Sequence, residues 1–199
     1  MGHLERMPYR ELATPEAWKA ALQGVARLLI DATERAEHRS QDDAQQREHD
    51  SGKKQHTLHN TVMALPDTGI LFLGRTFSGH HHDSLLLQQA LPPEFDGFAD
   101  MNVRVDLGYL GMQSDSRGEP MAILTRKPRK SHKHPNPPWS DEQKAANTAL
   151  SRVRIFIEHA IGGMKRYHIL VHTWRNRLEH FEDDVIGICA GLWNLVLSY

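Results

Sequence analysis

Two short apolar runs, RLLID at 27–31 and VRVD at 103–106, each close on an aspartate. Both read as strands, and no other feature narrows the fold as much. Between them, QHTLHNTVMAL (55–65), the turn residues PDTG (66–69) and ILFLGRTF (70–77) read as a hairpin. HDSLLLQQAL (82–91) has the length and leucines of a helix, with Asp83 in its first turn. Ser140 and Gln143 form a capping box, and a long helix is expected from there to about residue 168. A strand-like piece near HILVH follows, then an apolar helix over 182–197. In that helix Ile186, Ile188, Cys189, Leu192, Leu195 and Val196 read as core, and Trp193 as an apolar anchor. Residues 15–24 carry a short helical signal. The order of strand, hairpin, helix, strand and long helix specifies an α/β chain, with a mixed sheet flanked by helices.

If the two acid-ending strands are parallel neighbours, Asp31 and Asp106 reach one edge of the sheet. Ligands of α/β sheets commonly bind there. Converging carboxylates repel unless a cation or proton intervenes. Mg²⁺, which takes carboxylate oxygens and keeps several waters, suits such a pair. Each aspartate alone also reads as a turn initiator. The long helix carries a third acid. With Arg154 at zero and about 100° per residue, Glu158 falls near 40°, Lys165 near 20° and Ser151 near 60°. Leu150, Val153, Ile157, Ala160, Ile161 and Met164 fall between roughly −20° and −120°. A narrow polar stripe thus borders the apolar one and can bring Glu158 to the two aspartates. The other reading is an ordinary Arg154–Glu158 pair, worth roughly 0.3 kcal/mol.

A formal net charge of −1 argues against a uniformly basic nucleic-acid coat and leaves room for a basic patch. Fourteen histidines raise metal chemistry. The run GHHHD (79–83) could bind zinc, but adjacent histidines in one turn rarely all reach one ion. The single cysteine, Cys189, excludes an internal disulfide and a cysteine zinc cluster. No apolar run has membrane-spanning length and the start lacks a signal-peptide pattern, so a cytoplasmic protein is expected.

Several stretches together resemble the DDE transposases of bacterial insertion sequences, in the branch that includes the Harbinger-type elements. They are LLIDATERAEHR, SGKKQHTLHN, GRTFSGHHHDSLLL, VRVDLGYLG and NTALSRVRIFIEHAIGGMKRY, in order from about residue 25 to 197. The last carries an Arg-x3-Glu-x6-Lys pattern on Arg154, Glu158 and Lys165. The resemblance implies a ribonuclease H-like fold, with Asp31, Asp106 and Glu158 as catalytic residues and as ligands of two Mg²⁺ ions, Mn²⁺ able to substitute. It implies metal-dependent DNA cleavage and strand transfer on element ends and target DNA, performed by a homo-oligomer. Arg154 and Lys165 are expected to contact phosphate. The basic loop 126–138, with Arg126, Lys127, Arg129, Lys130 and Lys133, is expected to track the DNA backbone, although it also reads as a solvated charge run. His82 and Asp83 are expected in a supporting role. Ala32 stands where such sequences commonly have glycine, His59 where lysine is common and Ser151 where tyrosine occurs. Residues 1–24 read as an N-terminal remnant or connector and 25–199 as the catalytic domain. Only 30 residues precede Asp31, too few for the usual DNA-recognition domain, which suggests a separate N-terminal half as partner. The competing expectation is a catalytically silent DNA-binding remnant.

Overall fold

The computed structural model describes residues 7–38, 56–79, 81–92, 95–98, 101–105, 121–123 and 139–198, with 121–123 as backbone only. Its elements are α1 (Pro15–Ala21), β1 (Arg27–Ala36), β2 (Thr57–Ala64), β3 (Ile70–Leu73), β4 (Phe77–Ser78), α2 (Asp83–Ala90), β5 (Asn102–Val105), β6 (Met121–Ile123), α3 (Asp141–Met164) and α4 (Phe181–Val196). The strands form one sheet in the order β3-β2-β1-β5-β6, with β4 paired to β2. The β1–β2 and β2–β3 pairs are antiparallel, and the β1–β5 and β5–β6 pairs are parallel. This is an α/β architecture of ribonuclease H-like type, a mixed sheet flanked by helices.

Alternation along the strands sorts their side chains onto two faces. Leu29, Leu58, Val62 and Leu73 meet Ile157, Ala160 and Met164 of α3 and Ile186, Cys189 and Trp193 of α4. Leu28, Ile30, Met63 and Phe72 face the other way, toward Trp18 of α1 and Leu87 of α2. Trp18 is fully buried, its ring 4.7 Å from that of Phe72. Residues just before β1 therefore belong to the same core as the sheet. Gly24, at φ +78°, makes the turn from α1 into β1 that a Cβ would strain. Where α3 crosses α4, a Cβ on Gly163 would stand 2.4 Å from the Trp193 ring. Glycine there lets the indole lie on the helix backbone, while its Nε1 donates to Thr68 O across the β2–β3 turn.

Five expectations need correction. Asp31 does not end its strand: β1 runs on to Ala36, because antiparallel pairing with β2 continues through Ala36↔Thr57. The run 70–77 is not one strand; it breaks after Leu73, and β4 returns to pair with β2 at Leu58 and His59. The long helix stops at Met164 with Lys165 as its cap. HILVH holds a 3-10 turn at His168–Leu170, closed by local hydrogen bonds such as Val171 N to His168 O. On α4, Ile186 and Cys189 are buried, but Ile188, Leu192 and Val196 face outward. The strand β6 was not foreseen. The capping box at Ser140 and Gln143 is present in both directions.

Candidate active site

Asp31 lies on β1 one residue beyond Ile30, which pairs with Val105, the last described residue of β5. The parallel neighbours expected from the two acid-bearing runs are thus in place. Asp106, next after Val105, lies outside the described residues. Asp31 shares the parity of Leu29 and so faces α3. Its Oδ1 accepts from its neighbour's backbone, Ala32 N, at 2.8 Å, which leaves Oδ2 turned toward the helix.

α3 packs across β1, β2 and β5, with Ile157, Ala160 and Met164 pointing into the sheet. The polar stripe next to them meets β1 at two places. Arg154 Nη2 lies 3.5 Å from Asp31 Oδ2 and 3.9 Å from Glu158 Oε1. Eleven residues further on, Lys165 Nζ donates to the Glu34 carbonyl at 2.9 Å. Asp31 and Arg154 are largely buried, with side-chain exposures of 17% and 20%, whereas Glu158 is 60% exposed. One guanidinium therefore joins a fixed carboxylate on the strand to a solvated one on the helix. Ser151 is exposed.

Two carboxylates with hard oxygens are suitable ligands for Mg²⁺ or Mn²⁺. The group of His180, Glu182 and Asp183 also brings possible ligand atoms within 4.8 Å of one another. It sits at the start of α4, and Asp183 is already engaged. Asp183 Oδ1 accepts from Thr76 N at 2.9 Å and from Thr76 Oγ1 at 2.8 Å, and it pairs with Arg10. Thr76 Oγ1 in turn accepts from Arg35 and Asn60. Arg35 is 3% exposed, and its pKa falls to about 10 because burial disfavours its charge, partly offset by Asp183 and Glu182. Sequence reading missed this network. Its residues are all visible in the sequence, but nothing there marks Arg35 and Asn60 as the buried pair among the polar residues of the two runs.

Burial, and then the Arg35 charge, push the Lys165 ammonium below its ordinary value, with Glu34 opposing. A cation kept where the fold disfavours its charge points to use rather than stability. Lys165→Met is expected to stay within about 1 kcal/mol of the parent at neutral pH, because a lost hydrogen bond and a relieved burial cost offset each other. The unfolded chain binds the Lys165 proton more tightly, so between the lowered folded value and 10.5 this group adds stability to the parent as pH rises. The midpoint difference between parent and variant should widen in the parent's favour across that window; a pH-independent difference would refute this account.

His82 and Asp83 open α2 on the opposite side of the sheet from Asp31. Asp83 Oδ1 is 3.9 Å from His59 Nδ1, and His59 Nε2 is 3.5 Å from Glu34 Oε1. Arg126, Lys127, Arg129, Lys130 and Lys133 lie outside the described residues, as does His80 of the histidine run. No helix among the described residues is long and apolar enough to cross a membrane.

The family model described as DDE superfamily endonuclease matches residues 30–194. Comparison with curated proteins and with solved structures returned no match.

Proposed function

The chain belongs to the DDE superfamily of endonucleases, and we propose that it is the catalytic domain of a transposase, cutting and joining DNA strands with divalent metal. Asp31, Asp106 and Glu158 would hold two Mg²⁺ ions, with Mn²⁺ able to replace them. The observation that carries this reading is the meeting of Asp31 and Glu158 at Arg154 within the matched region. Bound cations would supply Lewis-acid polarisation of the phosphate. The chain's own residues do the rest. Asp31 presents Oδ2 from a strand locked on both sides by pairing. Glu158 approaches from a rigid helix and stays solvated enough to move. Arg154 and Lys165 place positive charge along β1 beside these acids, which favours a polyanion there.

The motif order quoted above supports an origin in bacterial insertion sequences, in the Harbinger-related branch, with element ends and target DNA as substrates and a homo-oligomer as the working form. The basic loop 126–138 supports contact with the DNA backbone, and His82 and Asp83 would brace the site from the far side of the sheet through His59. The test is conversion of supercoiled plasmid to nicked circles by the purified chain. Mn²⁺ or Mg²⁺ should be required and chelation should stop the reaction; cleavage indifferent to chelation would overturn the metal reading.

A further inference from the structure

Arg154 stands in the place where two carboxylates require a positive charge. We infer that its guanidinium is the resident counter-cation of the Asp31–Glu158 pair: it holds the two acids together before metal arrives, competes with the entering cation, and then turns to substrate phosphate. This rests on the reading of Asp31 and Glu158 as metal ligands.

The Arg154 contacts to these two acids are ones a cation can leave. At 3.5 and 3.9 Å, neither is the short bidentate fork that arginine makes with a carboxylate in a permanent pair. Asp31 is the firm partner, since it is largely buried and its other oxygen is held by Ala32 N. Glu158 is mostly exposed, so its half of the contact is weak and readily exchanged. Displacing the guanidinium requires a stronger cation at the same oxygens, and a divalent ion is one. The freed guanidinium remains one helical turn from Glu158, beside the acids that would hold the metal, and would be available to a substrate phosphate. Metal and DNA would then be coupled through one side chain, each raising affinity for the other.

A purely structural ion pair predicts the opposite of a competing cation. If Arg154 only braces the acids, its loss lowers both stability and metal affinity. If it competes, its loss lowers stability while raising metal affinity. The experiment titrates the full chain with Mn²⁺ alone, read by water-proton relaxation, for the parent, Arg154→Gln, Arg154→Met and Asp31→Asn, with thermal midpoints alongside. Arg154→Gln should bind the first Mn²⁺ about tenfold more tightly than the parent, on the scale of one unit charge removed from a part-buried site. A short DNA duplex should raise Mn²⁺ affinity in the parent and much less in Arg154→Gln. Should Arg154→Gln be unfolded, Arg154→Met, which also removes the charge but keeps an apolar stem against the helix, is read instead and should shift Mn²⁺ affinity in the same direction. Unchanged or weaker Mn²⁺ binding in the folded variants, with Asp31→Asn losing it, overturns the inference and leaves the ligand reading standing. Intact Mn²⁺ binding in Asp31→Asn overturns both.

Discussion

Glu158→Gln is expected to lower metal-dependent DNA cleavage by about 10³-fold or more. A metal-held charge supplies several kcal/mol to the transition state, and each 1.36 kcal/mol is tenfold in rate. The amide keeps the shape of the side chain and removes the charge that would hold a cation. Stability should barely change. Glu158 is 60% exposed and its contact to Arg154 is 3.9 Å long, so the loss is on the order of a few tenths of a kcal/mol. Asp31→Asn should be as inactive but less stable, because the larger and drier half of the Arg154 contact is lost. Plasmid nicking and thermal midpoints, measured on the same preparations, separate the two effects. Cleavage at the parental rate by Glu158→Gln would end its assignment as a ligand.

Asp183→Ala is expected to be the most destabilising change among the polar positions, by about 3 kcal/mol or more. Asp183 is the carboxylate that Arg10 and Thr76 share, with Arg35 one step behind. Without it, the Arg10 and Arg35 guanidinium groups lose their nearest shared acid, Glu182 alone offsets the buried Arg35 charge less well, and the Thr76 backbone N–H loses its acceptor. Asp183→Asn, which keeps an acceptor but not the charge, should lie between. In a domain of this size such a loss lowers the thermal midpoint by roughly 6–12 °C. A drop under about 2 °C for Asp183→Ala would show that the network is dispensable.

The parts of the fold that were legible in the sequence are those with local causes. α3 announces itself by a capping box and a clean apolar stripe, and the polar stripe plotted from spacing is the one that meets β1. The two acid-bearing runs are parallel neighbours, as their similar pattern suggested. What was not legible depends on partners far along the chain. Beyond Asp31 the polar residues Thr33, Glu34 and Arg35 do not extend the apolar run of 27–31, yet β2 holds them extended. The Arg10–Asp183 and Thr76–Asp183 contacts span 173 and 107 residues, which no periodicity can reveal. HILVH has the composition of a strand, but its backbone is satisfied within one turn and only Leu170 is drawn into the core. Lys165 was read as a phosphate contact, and its ammonium is found on a backbone carbonyl of β1, which a motif cannot foretell.

One small pairing carries a separate consequence. Tyr9 lies beside β3, its N–H donating to Leu71 O and its carbonyl accepting from Leu73 N. β3 is the last strand on its side of the sheet order, so this single residue stoppers a row of backbone groups that would otherwise stand ready for a foreign strand. Nearby, Met7 packs close against Gly191 of α4. A shortened version beginning at residue 25 would keep every acid discussed above, and it would also lose Trp18 and open that flank. Its failure in expression would then be one of self-association through a bare edge, with the candidate site residues all still in place, and adding back residues 7–24 should restore a well-behaved monodisperse protein.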